Sequence, residues 1–216
     1  MGKYWREEIA RPNGIDVWIG ELGPTQLERI ATIYPPKRLN VSADEANFYR
    51  SMGDKDSLAF RAFASPGGMR GLSDVNKLEV QQAGLPALGG VASARGLAKF
   101  YAILAAGGEW DGVQVIPKSI VRLGSQPISQ GQDKTLLMPT AFSSGWMLDP
   151  AGENGEKQRQ LFGPSKKAFG QPGAGGSHAF ADPESGISFA YVMNQMEAGV
   201  LPNEKSLGLV RDLYGL

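Results

Sequence analysis

The residues whose types could do chemistry are concentrated between Phe169 and Met196. Within this stretch, Gly173–Ala179 reads GAGGSHA, which combines closely spaced glycines with a serine and the one histidine of the sequence. A dinucleotide-binding turn would need a third glycine and a following helix, and a nucleophile elbow would need a strand-to-helix turn and a later histidine. A strand is predicted to follow instead, and His178 projects to the face opposite Ser177. The pattern therefore favours neither site and predicts a packed or half-exposed His178.

The high density of glycines between residues 170 and 176 requires a physical explanation. Two runs of strand-forming residues, Ser177–Ala181 and Ile187–Met193, flank the turn-forming sequence DPESG and predict a hairpin. Upstream, the glycines at 170, 173, 175 and 176 are too dense for an ordinary strand, because an interior glycine loses backbone entropy and packs nothing. Either another chain segment or a ligand approaches the backbone closely, or the strand is a bulged, twisted edge. The segment alone favours the edge.

Composition limits the kinds of partner. The 216 residues carry 22 Lys+Arg against 22 Asp+Glu, which leaves no basic field for nucleic acid or an anionic membrane. With no cysteine and one histidine, neither a disulfide framework nor a structural zinc site is expected, and no cofactor is predicted. No apolar run approaches the roughly 20 residues needed to span a bilayer. We therefore expect a soluble, cytoplasmic protein.

Helices and loops are predicted to fill the first part of the chain. Lys3–Ala10 has a helical pattern without a cap at its start, which favours a chain cut from a longer one. A short helix begins near Ser42 or Asp44, and the surrounding Gly- and Pro-rich region, including 61–71 and 81–90, is interpreted as loops. The clearest helix follows a Ser93 cap and runs to Ala106.

Strands and a closing helix are predicted after residue 140. The strands are expected near 142–149, 167–174, 177–182 and 187–194, and an amphipathic helix over 203–214 should lie on one sheet face. The fold class is therefore α+β, with an antiparallel sheet and flanking helices. We expect one domain over 1–216, in which a helical and loop-rich region (1–140) precedes the strands and C-terminal helix (141–216).

Several segments, in this order, resemble the β-lactamase-related serine hydrolases, which include class C β-lactamases, penicillin-binding proteins and related esterases. The segments are Glu8–Ile15, Gly89–Ala98, Ser144–Leu148, Gly170–Pro183 and the final strand and helix. The resemblance covers nearly all of the chain as the C-terminal portion of such a domain. It implies a β-lactamase/transpeptidase-like fold that lacks the N-terminal part.

The resemblance also implies where substrate would bind. In this family a serine nucleophile lies in an S-x-x-K motif, Tyr-x-Asn or Ser-x-Asn supplies a second proton-transfer group, and a K-T-G or H-x-G strand lines the pocket. The third motif would fall on 171–173. The backbone N–H of Ala174 would then be one oxyanion-hole donor. The substrate-binding residues implied are Gln171, Gly173, Ala174, Gly175 and Gly176.

Two departures from the family pattern shape the expected function. Gln171 replaces the usual Lys or His, and no serine is followed three residues later by lysine, nor does Tyr-x-Asn or Ser-x-Asn occur. We therefore expect no catalytic side chain here and no activity of this chain alone. The parent reaction would be hydrolysis of a small-molecule ester or amide. An ester is favoured over a β-lactam, because a neutral Gln171 gives little grip on the β-lactam carboxylate.

Two alternatives remain open at this point. One is a non-catalytic binding or interaction module that kept the fold and lost the chemistry, and the other is an incomplete gene product with no independent role. The resemblance carries one more implication. Strands from the N-terminal part of the family domain complete the sheet, so an unpaired strand edge is expected in this chain. Self-association, or pairing with a missing N-terminal segment, should follow.

Overall fold

The computed structural model describes residues 1–64 and 72–216. Its main sheet has six antiparallel strands in the order β10-β9-β8-β7-β6-β5, so each strand lies beside its neighbour in sequence. These strands are β5 (Pro127–Gln132), β6 (Pro139–Ser143), β7 (Met147–Leu148), β8 (Phe169–Pro172), β9 (His178–Asp182) and β10 (Ile187–Tyr191). The predicted α+β class and the antiparallel succession of strands are confirmed.

Two strand predictions are wrong in detail, for local reasons. The single strand expected over 142–149 is a hairpin of β6 and β7. Ser143 Oγ accepts hydrogen bonds from the backbone N–H groups of Gly145 and Trp146, at 3.2 and 2.8 Å, and so reverses the chain. The strand expected over 167–174 ends at Pro172, because the glycines that follow form a turn. The polar, exposed β5 was not predicted.

Two small antiparallel pairs lie outside the main sheet. Strand β1 (Val17–Ile19) pairs with β2 (Gly90–Ala92), and β3 (Glu109–Trp110) pairs with β4 (Val113–Gln114). The first pair joins segments more than 70 residues apart in sequence, and thereby ties the start of the chain to the segment that enters the long central helix.

The helices precede, connect and follow these strands. They are α1 (Gly2–Tyr4), continued by a π-helix over Trp5–Ala10, α2 (Pro24–Leu27), α3 (Ala46–Ser51), α4 (Leu58–Phe63), α5 (Leu78–Gln82), α6 (Ala94–Ala105), α7 (Lys118–Ser125) and α8 (Glu204–Tyr214). Short 3-10 turns cover Ala43–Glu45 and Leu72–Asn76. In the part of the chain that the structure describes, no helix has the length and apolar character needed to cross a lipid bilayer.

The predictions for the region before residue 90 are confirmed in part. The short helix near Ser42 exists as the 3-10 turn Ala43–Glu45 followed by α3. The loop predicted over 61–71 is wrong at its start, because α4 continues to Phe63. Its residues 65–71 lie outside the described residues.

The two longest helices begin at side-chain caps, of which the cap at Ser93 was predicted. Ser93 Oγ accepts the backbone N–H of Gly96 at 3.1 Å and starts α6. Asn203 Oδ1 accepts the backbone N–H of Lys205 at 3.1 Å and starts α8, which ends before Gly215 in a left-handed conformation (φ 69°). A side-chain oxygen at the cap satisfies an amide that has no partner within the helix.

The core has two layers, one on each face of the main sheet. On one face, Leu207 and Val210 of α8 pack with Phe162 and Phe180. On the other face, Tyr101 and Leu104 of α6 pack with Phe169, Ala179 and Ala181. Alternate residues of β9 therefore serve opposite layers, as the period of a strand requires. The predicted packing of the last helix on a sheet face is confirmed.

The loop between β7 and β8 is anchored by a buried ion pair. Lys157 Nζ lies 2.7 Å from Asp149 Oδ2, with the two side chains 9% and 1% exposed. The Lys157 ammonium also donates to the carbonyl of Gly163 at 2.7 Å, and the Asp149 carboxylate accepts the backbone N–H of Leu161 at 2.8 Å. Both members of this ion pair are therefore buried, although the loop between β7 and β8 is otherwise rich in polar residues.

Candidate functional site

The glycine-rich residues form the turn between β8 and β9. The strands end at the pair Pro172 and His178, and residues 173–177 connect them. The backbone N–H of Gly173 donates to the carbonyl of Ser177 at 2.7 Å, and that of Gly176 donates back to the carbonyl of Gly173 at 3.0 Å. We refer to residues 173–177 as the glycine turn. Gly173, which was predicted to lie in the strand over 167–174, therefore lies in a turn together with Gly175 and Gly176.

Close approach of another chain segment explains two of these glycines. Gly175 (φ 93°) and Gly176 (φ 118°) adopt backbone conformations that side chains disfavour. A Cβ on Gly175 would lie 2.5 Å from Met196 Cε, and one on Gly176 would overlap the side-chain amide of Asn203. The interpretation as a bulged sheet edge is wrong, because β8 and β9 are interior strands. The segment that follows β10 packs against the glycine turn.

The tip of the turn presents an unused backbone donor. Ala174 is exposed, and its N–H has no hydrogen-bond acceptor among residues 1–64 and 72–216. The amides on either side, Gly173 and Gly175, both donate inward, the second to the carbonyl of Gly199 at 2.9 Å. The side chain of Gln171 is also exposed and makes one 3.3 Å hydrogen bond, from Nε2 to the carbonyl of Pro172. An amide donor and a side-chain amide therefore face outward at the end of β8.

Tyr101 of α6 lies in the core layer on one face of the sheet, packed with Phe169 and Ala179. It is 5% exposed, and burial raises the pKa of its hydroxyl well above the usual value. The polar groups of Trp146 and of the Gln171 backbone offset part of that rise. The environment of this hydroxyl could not be predicted, since nothing local in the sequence indicates what it meets.

His178 belongs to the core and not to a catalytic pair. Its ring, 1% exposed, lies 5.5–5.7 Å from the rings of Phe162, Phe180 and Phe189. Neither ring nitrogen makes a hydrogen bond within the described residues, so Ser177 has no base beside it. Burial lowers the pKa of His178 to about 4, and the Leu161 backbone offsets part of that shift. The prediction of a packed histidine is confirmed.

The buried histidine makes stability depend on pH. Above pH 6.5 the ring is neutral in both states; as pH falls towards 4, the unfolded chain takes up a proton that the folded chain does not. We expect the free energy of unfolding to fall by about 3 kcal/mol across that window, since each pKa unit is worth about 1.4 kcal/mol. Urea unfolding at pH 7 and pH 4.5 measures the loss, and His178→Phe should remove most of it. An equal loss in that variant would contradict the assignment.

A cavity of about 540 Å³ lies on the α8 side of the molecule, and its lining does not include the residues from Gln171 to Gly176. Asp44, Arg159, Leu207 and Arg211 are among the residues that line it. Glu197 and Asn203 line the same cavity and also adjoin the glycine turn. The glycine turn, with the free N–H of Ala174, therefore adjoins this cavity through Glu197 and Asn203 without being part of its lining.

Comparison with known proteins gives consistent results. The β-lactamase family profile matches residues 1–208. A curated relative, the esterase/beta-lactamase LipL of Mycobacterium tuberculosis (strain ATCC 25618 / H37Rv), is 30% identical over 198 residues, which are 91% of this chain and 43% of the relative. The chain therefore spans less than half the length of that curated relative.

Solved structures share the fold along the whole chain. A penicillin-binding protein homologue from Caulobacter crescentus is 30% identical with a TM-score of 0.76, over 99% of this chain and 52% of its own. A family VIII carboxylesterase is 25% identical with a TM-score of 0.79, over 99% of this chain and 51% of its own. The resemblance predicted from the sequence is thus confirmed, and the chain belongs to the β-lactamase family.

Proposed function

We propose that this chain forms one wall of the active site of an ester-hydrolysing serine hydrolase and is inactive alone. The observation that carries the proposal is the free N–H of Ala174, which faces outward at the end of β8 beside the exposed side chain of Gln171. A donor that has no acceptor in its own fold is available to a developing negative charge. Such pre-oriented donors are what acyl transfer requires of an oxyanion hole.

The reaction requires both this wall and a nucleophile and base that the sequence does not contain. A serine hydroxyl attacks the ester carbonyl, its proton passes to a base, and the carbonyl oxygen becomes an oxyanion. In this proposal, the N–H of Ala174 donates a hydrogen bond to that oxygen, and Gln171 contacts the substrate beside it. The nucleophile and base belong to S-x-x-K and Tyr-x-Asn motifs, neither of which occurs among these residues.

The substrate class follows from charge at the wall. Gln171 is neutral, so the wall offers a hydrogen bond but no cation to a substrate carboxylate at this position. A neutral ester fits this wall better than a β-lactam, whose carboxylate gains most from a charged partner. The similarity to a carboxylesterase and to an esterase/beta-lactamase supports the same preference. A non-catalytic module is the second candidate, favoured by the replacement at Gln171.

Complementation tests the proposal. The chain is mixed with an added N-terminal segment that carries S-x-x-K and Tyr-x-Asn, and the mixture is treated with a fluorophosphonate probe and analysed by intact mass. We expect labelling of the added segment, and loss of that labelling with Gly173→Val, because a Cβ there already lies 3.2 Å from Ser177 Cβ. Gly152→Val is the matched control, since its Cβ meets no atom closer than 3.7 Å. Equal labelling with both variants would contradict the placement of the wall, and a folded complex without labelling would favour the non-catalytic module.

A further inference from the structure

A buried carboxylate outside the wall holds the segment that packs against the glycine turn. Glu45 is 4% exposed, and Glu45 Oε1 accepts the backbone N–H groups of Val200 at 2.6 Å and Leu201 at 3.1 Å. Its second oxygen, Oε2, accepts the hydroxyl of Ser42 at 2.8 Å. No cation forms an ion pair with Glu45 in the described part of the chain. Hydrogen bonds therefore compensate the burial of this carboxylate. If residues 200 and 201 moved away, the carboxylate would stay buried without these donors, at a cost in free energy.

Tyr49 acts on the same segment one helical turn later. Its hydroxyl accepts the backbone N–H of Gly199 at 2.8 Å. Gly199 adopts φ 144°, and a Cβ there would lie 3.4 Å from both carboxylate oxygens of Glu45. The close approach of the Glu45 carboxylate and the conformation of Gly199 are thus parts of one arrangement.

The segment held by Glu45 and Tyr49 is bonded directly to the glycine turn. The carbonyl of Gly199 accepts the N–H of Gly175 at 2.9 Å, and the carbonyl of Gly175 accepts the N–H of Glu197 at 3.0 Å. These two bonds fix the peptide groups on both sides of Gly175, the residue that follows Ala174. Rotation of the 174–175 region would break them.

We propose that Glu45 and Tyr49 are positioning residues that orient the Ala174 N–H through the hydrogen bonds of Gly175 with Gly199 and Glu197. They contact neither substrate nor reacting atoms, and act through the intervening segment. The catalytic meaning of this inference rests on the proposed function, whereas the mechanical coupling does not. A donor must be held within a fraction of an ångström of its working position to stabilise a transition state, so a site built on a turn needs support of this kind.

Hydrogen exchange of the chain tests the coupling without any catalysis. Tyr49→Phe removes the acceptor of the Gly199 N–H, and Glu45→Gln removes the charge that two amides share. We expect the amides of Gly175 and Glu197 to exchange about tenfold faster or more in both variants, while the β9 amides of Ala179 and Ala181 keep their protection. Asp44→Asn is the matched control, because it removes a neighbouring charge from a side chain that is 64% exposed and should change none of these rates.

The outcomes separate positioning from general stability. If the amides of 200 and 201 exchange faster while those of Gly175 and Glu197 do not, the coupling stops before the turn and the inference is wrong. If β9 amides accelerate by the same factor as Gly175, the residues stabilise the whole fold and the inference is also wrong. Should Glu45→Gln fail to fold, Tyr49→Phe alone decides. In the complemented hydrolase, both variants should lower the maximal rate of probe acylation, with little change in the probe concentration at half-maximal rate. If the wild-type mixture is not labelled, that result contradicts the proposed function and leaves the hydrogen-exchange test of the coupling unaffected.

Discussion

The chain incubated alone with a fluorophosphonate or a labelled penicillin is expected to remain unmodified. A serine hydroxyl is a weak nucleophile until a neighbouring base takes its proton, and no serine in the sequence has a lysine three residues later. Loss of a nucleophile and base commonly costs about 10⁴–10⁶ in rate, even where an oxyanion hole survives. Intact-mass measurement after prolonged incubation should therefore detect no stoichiometric covalent adduct.

One stoichiometric adduct would overturn this expectation. Ser177 is the first residue to test, through Ser177→Ala, because it lies in the same glycine turn as Ala174 and directly precedes His178. The structure argues against it, since the His178 ring is buried among aromatic rings without a hydrogen bond to the serine. An adduct that persists in Ser177→Ala would locate a nucleophile elsewhere in the chain.

Replacing Asp149 by alanine is expected to lower the free energy of unfolding by about 3–5 kcal/mol, the usual cost of leaving one member of a buried ion pair without its partner. Lys157 would keep its charge in a site where it is 9% exposed, and the amide of Leu161 would lose its acceptor. Because Leu161 and Phe162 lie in the core beside α8, the loss should reach the sheet. Urea unfolding followed by far-ultraviolet circular dichroism measures it.

An exposed ion pair provides the control for this measurement. Glu204 Oε2 lies 2.7 Å from Arg211 Nη2, with side chains 79% and 51% exposed. Glu204→Ala should change the free energy of unfolding by no more than about 1 kcal/mol, because exposed pairs are screened by water. The double variant Asp149→Leu/Lys157→Met should recover the part of the loss that comes from the unpaired Lys157 charge, but not the part that comes from the backbone groups of Leu161 and Gly163. A small effect of Asp149→Ala would mean that the loop over 150–163 is not coupled to the core.

The predictable part of this fold is the part that local chemistry specifies. Ser93 and Asn203 stand at the starts of predicted helices, and each makes a cap hydrogen bond to a residue only two or three positions away. The DPESG turn likewise predicts the hairpin of β9 and β10, since Asp182 Oδ1 accepts the N–H of Glu184 within the turn itself. The division of 142–149 into two strands was not predicted. Ser143 stabilises the turn between them, but a serine alone does not indicate a chain reversal.

The site could be predicted only as far as the resemblance reached. Gln171 and the glycines were found from the order of motifs, but the sequence left open whether a ligand or a chain segment approached them. The answer depends on Met196 and Asn203, which lie 20 or more residues away. The role of Glu45 could not be predicted for the same reason, because the amides that it accepts lie about 155 positions away. The role of a buried polar side chain depends on its hydrogen-bond partners, and the tertiary fold determines which residues those partners are.

The two edges of the main sheet differ in a way that limits how copies of this chain can assemble. The outer strand β5 carries Pro127, Gly131 and a register irregularity, each of which obstructs the addition of another strand. On the opposite edge, β10 (ISFAY) has none of these, and within the described residues no strand lies on its outer side. Copies that paired β10 to β10 would be related by a two-fold axis, and each would use up the one receptive edge of the other. Pairing of this kind would close on itself, so it would give a dimer and not a fibre.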